Sequence, residues 1–151
     1  MILKNTVLSA TLALGLTLLS CQDHRDLSVT LKATLDGQSV KPLPITTGAT
    51  GLFTAKLDLT TRVLDYSLSY SALSTPAVVA HLHKATGVNG TGPVEIIIPT
   101  ASNTSGSVSG TTVLNPLSQN QVDSLVAGFY YVDLHTQSYP GGEIRGEVIK
   151  Q

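Results

Sequence analysis

Apolar and polar residues alternate from Leu27 onward. Leu27, Val29, Leu31, Ala33 and Leu35 interleave with Ser28, Thr30, Lys32 and Thr34, and a period of two places the first set on one face of a β-strand, against a core. The alternation returns in Phe53, Ala55, Leu57 and Leu59, opposed by Thr54, Lys56 and Asp58, and again in Leu64, Tyr66, Leu68 and Tyr70, opposed by Asp65, Ser67 and Ser69. The few polar residues around Thr60 to Arg62 make these two runs a hairpin. Further strands are expected at 78–83, 94–98, 108–114, 129–136 and 143–149, with Gly, Pro, Asn and Ser concentrated between them. About eight short strands make an all-β Greek-key sandwich or barrel.

One helix interrupts the alternation. Ser118 and Gln121 have capping-box spacing, Leu117 and Val122 are placed for a hydrophobic staple, and Gly128 can adopt the left-handed conformation that ends a helix. The expected helix covers residues 119–126 and serves as a crossover between strands. The stretch 36–51, with two prolines and three glycines, is the longest irregular segment. There is no convincing internal repeat.

The start of the chain follows a different pattern. Lys4 precedes an apolar run from Val7 to Leu19, and Leu18-Leu19-Ser20-Cys21 ends on the only cysteine. A charged start and an apolar middle mark a secretory signal, and the run is short of the roughly 20 residues a spanning helix needs. The segment resembles a bacterial lipobox. That resemblance implies cleavage before Cys21, acylation of its thiol, and a mature protein held on a membrane of the bacterial cell envelope. The expected organisation is a signal peptide over 1–20, a lipidated tether over 21–26 and a folded domain over 27–151. An ordinary signal peptide with a chance cysteine beside its cleavage site is the alternative.

Without residues 1–20, eight Lys or Arg stand against ten Asp or Glu, a formal net charge of −2. Phosphate binding needs a basic surface, so nucleic acid is excluded as a partner. With one cysteine there is no intramolecular disulfide, and stability rests on apolar packing and a well-paired sheet.

Three of the four histidines fall on expected strands. His81 and His83 share one face, with Leu82 turned to the other. In Phe129 to His135, the residues Tyr130, Val132 and Leu134 read as the core face, so His135 points outward with Tyr131 and Asp133. If the two strands are neighbours, three outward imidazoles suit copper or zinc. Asp133 is placed to orient an imidazole as a hydrogen-bond acceptor. The plain alternative is that the imidazoles hydrogen-bond loops over the sheet. His24 lies in the tether and reads as a solvated side chain.

Ala80-His81-Leu82-His83, Gly92-Pro93-Val94, Ser105-Gly106, Leu125 to Gly128, Tyr131 to Thr136 and Pro140-Gly141-Gly142-Glu143-Ile144-Arg145-Gly146-Glu147 together resemble the CHRD domain, named from the extracellular antagonist chordin and also present in bacterial secreted proteins. The resemblance covers about residues 27–150. It implies a binding or structural module with no established activity and no certain cofactor. The pattern is also similar to copper/zinc superoxide dismutase, a Greek-key β-sandwich. That similarity makes His81, His83 and His135 resemble copper ligands and Arg145 a substrate-guiding arginine. The chain departs from the dismutase in having no bridging histidine between His83 and His135, no zinc-ligand cluster and no disulfide, which argues against dismutase activity.

Arg145 has a second reading, because Glu143, Arg145 and Glu147 alternate with Ile144, Gly146 and Val148 as a solvated strand face would. The Gly-rich stretch 86–92 lacks the Gly-Lys-Ser/Thr ending of a phosphate loop. Asn89 and Asn103 sit in N-x-S/T sequons that a bacterial host leaves unmodified. No nucleophile elbow surrounds any serine, and hydrolase chemistry has no motif here.

Overall fold

A computed structural model describes residues 27–86 and 90–151. The expected signal peptide, the tether with Cys21 and His24, and the Asn89 sequon lie outside the described residues. Eight strands run in chain order: β1 (Ser28–Asp36), β2 (Thr50–Asp58), β3 (Leu64–Ser71), β4 (Ala77–Lys84), β5 (Val94–Ile98), β6 (Gly106–Thr111), β7 (Tyr130–Thr136) and β8 (Ile144–Lys150). One helix, α1 (Gln119–Val126), joins β6 to β7. The described residues are all-β apart from that helix.

The strands form one antiparallel sheet in the order β5-β4-β7-β8-β1-β2-β3-β6. The sheet curls into a nearly closed barrel whose seam lies between β5 and β6, where Glu95, Ile96 and Ile97 face Thr111 to Leu117 across a cleft of about 640 Å³. Within the strands the period-two sets point inward as expected, whereas Leu27 and Leu59, just outside β1 and β2, are exposed. Leu31, Leu35, Phe53, Leu57, Leu64, Leu68, Leu134 and Ile144 are fully buried. Each such side chain contributes about 1.5–3 kcal/mol on leaving water.

Local signals set the helix boundaries. Ser118 Oγ accepts from the Gln121 backbone N–H at 3.3 Å while Gln121 Oε1 accepts from the Ser118 backbone N–H at 2.9 Å. Leu117, Val122 and Leu125 are buried, and Gly128 takes a φ of 81° just past the C-cap. Several strand limits differ from expectation, and β2 and β4 are longer than read, at Thr50–Asp58 and Ala77–Lys84. β6 spans Gly106–Thr111 rather than 108–114, because Thr112 turns the chain, its carbonyl accepting from Asn115 N–H. β7 begins at Tyr130 and β8 at Ile144, one residue later than alternation alone suggests.

Antiparallel pairing sorts the connections into two ends. The 37–49, 72–76, 99–105 and 137–143 connections lie at one end. The start of β1, the β2–β3 hairpin, the β4–β5 connection and α1 lie at the other.

Candidate metal centre

Strand β7 carries Tyr131, Asp133 and His135 on its outer face, and β4 lies directly beside it. The register sets His81 opposite Asp133 and His83 opposite Tyr131. Residues more than 50 positions apart in sequence thereby meet at one spot. His81, His83, Asp133 and His135 each turn one ligand atom inward, and these four atoms all lie within 4.8 Å of one another.

The cluster faces away from the core, yet it is not a solvated surface. His83 is 8% exposed, because the 37–49 connection and the residues before β5 fold over this face. Val40, Lys41, Thr91, Gly141 and Gly142 wall a pocket of about 190 Å³ that reaches His83, Asp133, His135 and Arg145. Gly142, at φ 109°, passes so close that a Cβ there would lie 3.9 Å from Asp133 Oδ2 and 4.0 Å from the His135 ring.

Backbone carbonyls fix two of the imidazoles. His83 Nδ1 lies 2.9 Å from the Gly92 carbonyl, and His135 Nδ1 lies 2.8 Å from the Pro140 carbonyl. A carbonyl only accepts, so both Nδ1 atoms carry the proton and both Nε2 atoms are turned to the cluster. His135 Nε2 meets Asp133 Oδ1 at 3.0 Å and His81 Nδ1 at 3.0 Å. His83 Nε2 stands 3.2 Å from Asp133 Oδ1, but off the axis of a hydrogen bond, and is left as a buried nitrogen with no hydrogen-bond partner.

The charges follow from this geometry. Burial works to raise Asp133, but its hydrogen bond to His135, the close approach of His83 and the charges of both imidazoles overcome that and hold the carboxyl down at about 2. Burial likewise works to lower His83 and His135, yet the adjacent Asp133 carboxylate and the backbone carbonyls lift both above the ordinary histidine value. His81 goes the other way. Burial and the neighbouring His135 lower it, and the more distant Asp133, at 3.8 Å, compensates only in part.

Arg145 is not part of a solvated face. It is 3% exposed, and its guanidinium lies flat over Tyr131, 3.5 Å from the ring centroid. Tyr131 stacks in turn on His83, with centroids 4.7 Å apart and planes at 3°. Arg145 Nη2 donates to the Gly90 carbonyl and to Glu147 Oε1, the latter at 2.7 Å, and Glu147 also accepts from Lys41 Nζ at 3.2 Å. Arginine and tyrosine together brace the ring of His83 from behind.

Glu143 also departs from the alternating-face reading. It precedes β8 and is fully buried. Its oxygens accept from Thr47 Oγ1, Ser74 N–H, Ser74 Oγ and Thr136 Oγ1 at 2.8–2.9 Å. This one carboxylate ties together three connections at the end of the barrel nearest His135. Nothing in the local pattern signals it, because two of its three partner residues, Thr47 and Ser74, come from distant segments. Tyr131 was visible in the spacing with Asp133 and His135, whereas Lys41 and Val40 carried no signal.

The donor set suits a metal ion. Tetrahedral zinc with nitrogen ligands at about 2.0–2.1 Å holds its donors roughly 3.3 Å apart; four of the six donor–donor distances, 3.0, 3.0, 3.2 and 3.8 Å, lie near that spacing, and the whole set falls within 4.8 Å. Three imidazoles and a carboxylate are borderline ligands of the kind zinc and copper take. The orphaned lone pair on His83 Nε2, facing a carboxylate oxygen, is a pair of acceptors that needs a cation or a proton between them.

The family model of the CHRD domain matches residues 31–148. No curated protein and no solved structure matches the chain.

Proposed function

This chain belongs to the CHRD domain family, and from that premise we propose that it is a binding module of the bacterial cell envelope, tethered by lipid at Cys21, whose ligand is a copper or zinc ion. The ion is held by His81 Nδ1, His83 Nε2 and His135 Nε2, with Asp133 completing the set. The unpartnered, buried His83 Nε2 supports this reading most directly, since an unsatisfied buried nitrogen normally has an explanation in a missing proton, water or ion.

The chain's own residues do the positioning. The Gly92 and Pro140 carbonyls hold His83 and His135 in the tautomer that presents Nε2. Tyr131 and Arg145 keep the His83 plane from rotating. Copper bound here would supply redox chemistry and zinc a Lewis acid, but among the described residues no separate nucleophile or general base is arranged beside the cluster, and the reading is of a binding module rather than an enzyme.

Metal analysis of the purified protein tests it. Stoichiometric copper or zinc, lost in the His81→Ala, His83→Ala double variant, is the expected result. Absence of binding of either metal at micromolar concentration makes the cluster a hydrogen-bond network centred on Asp133, a reading that its contacts to three imidazoles also favour.

A further inference from the structure

The exposed apolar side chains are not spread evenly over the barrel. Leu27, Leu59, Val113, Leu114, Phe129 and Ile149 are all exposed, Leu114 at 90%. Each lies at the end of the barrel where β1 begins. Leu27 precedes β1, and Leu59, whose N–H donates to the Leu27 carbonyl, follows β2. Val113 and Leu114 lead from β6 toward α1, Phe129 lies between α1 and β7, and Ile149 is next to last in β8. Among the described residues, the connections at the opposite end expose one large apolar side chain, Leu43, and the strands expose Leu52, Val78 and Ile97 toward that end. An apolar rim of this kind on one end of a domain marks an interaction surface rather than scatter.

The sequence indicates what covers it. Five residues separate Cys21 from Leu27, and the six extended peptide units that join them reach at most roughly 20 Å. A domain acylated at Cys21 therefore keeps the start of β1 within that distance of the lipid. The end that bears the tether is the end that bears the rim. Charges of both signs, Arg62, Lys84 and Lys150 against Asp58, Asp65 and Asp123, occur at this end, so attraction to anionic headgroups is not the main force. Leucine, valine, isoleucine and phenylalanine side chains are suited to burial at the boundary between headgroups and acyl chains.

We propose that this end of the barrel docks against the bilayer that carries the lipid of Cys21, with the rim of Leu27, Leu59, Val113, Leu114, Phe129 and Ile149 seated among the headgroups. The proposal rests on the lipid-anchored reading above. A second, weak contact beside a covalent anchor acts at high effective concentration, so shallow burial is enough to orient the domain. The pocket that reaches His83 and His135 lies along the side of the barrel, walled by Gly141 and Gly142 from the opposite end and by Thr91 from the β4–β5 connection.

The chain contains no tryptophan, so single reporters are clean. Full-length Leu114→Trp and Leu43→Trp variants, produced in a bacterial host, are reconstituted in vesicles of phosphatidylethanolamine and phosphatidylglycerol brominated in their acyl chains. Leu114→Trp is expected to shift to the blue and lose most of its emission, and Leu43→Trp to keep both. If the protein is vesicle-bound and neither reporter is quenched, or both are quenched alike, the docking is overturned while the anchor stands. If the protein carries no acyl group and stays in solution, the anchor reading fails and the docking falls with it.

Discussion

His81 Nδ1 and His135 Nε2 stand 3.0 Å apart, although the first is pushed toward the neutral state and the second toward the charged one. The contact works because the two differ. Two charged rings at this distance repel, and two bare nitrogens have no proton to share. One hydrogen bond from His135 to His81 resolves both problems, with Asp133 stabilising the donor from 3.0 Å.

In metal-free protein the histidines are accordingly expected to titrate in order. Observed by NMR, His81 should lose its proton below the ordinary 6.5, and His83 and His135 above it. Asp133→Asn removes the carboxylate charge that lifts the latter two, and both should move down. A His81 midpoint above that of His135 contradicts the assigned pairing.

Glu143→Gln keeps the shape of the buried clamp and removes its charge. Its amide would turn a donor toward at least one of Ser74 N–H and the three hydroxyls, so a loss of about 2–3 kcal/mol in unfolding free energy is expected at pH 7. Burial works to raise this carboxyl, but four hydrogen bonds outweigh it and lower it below the ordinary 4.5. A lowered folded-state value means the contribution is fully present above 4.5 and is lost as pH falls below it toward the folded value. Chemical denaturation from pH 7 to pH 3 should therefore show the gap between wild type and variant narrowing only at the acid end.

Gly146 lies in β8 where a Cβ would run into the Thr34 carbonyl of the paired strand. The obstacle is backbone and cannot swing aside. Gly146→Ala is expected to destabilise the barrel by about 3 kcal/mol, measured as a lower denaturation midpoint, whereas Gly141→Ala, which meets nothing within 4 Å, should leave it nearly unchanged.

Cys21→Ser tests the anchor independently of the metal. The variant should accumulate unprocessed or move from the membrane to the soluble fraction. A variant that fractionates and migrates like wild type removes the case for lipid attachment.

Much of the fold was legible because alternation is a local signal. Leu31, Phe53 and Leu68 point inward where period two puts them, β5 falls at Val94–Ile98 as read, and the capping box placed α1 at Gln119–Val126. β6 was read late, at 108–114, because Gly106 to Thr111 buries no residue and contains a single large apolar side chain, Val108. Period two also gave the faces of His81, His83, Asp133 and His135, and the family resemblance supplied their proximity. The burial of His83 and Arg145 was invisible, since it depends on Lys41 and Gly90 arriving from connections whose path alternation does not describe. Glu143 was misread for a related reason: the charge beside a strand looked solvated, and two of its three anchors, Thr47 and Ser74, are remote in sequence.

The seam between β5 and β6 sets how the barrel opens. Strand β6 is bonded on one side only, to β3, and adds to the core only the partly buried Val108. Its amides should exchange with solvent through small local fluctuations of low free energy, long before the molecule unfolds as a whole. Strand β7, with Asp133 and His135, is flanked on both sides by β4 and β8 and lies five strands away from β6 across the sheet. Fraying at the seam can thus run its course while the imidazole cluster keeps its spacing, and deuterium uptake in the two strands should differ by orders of magnitude in rate.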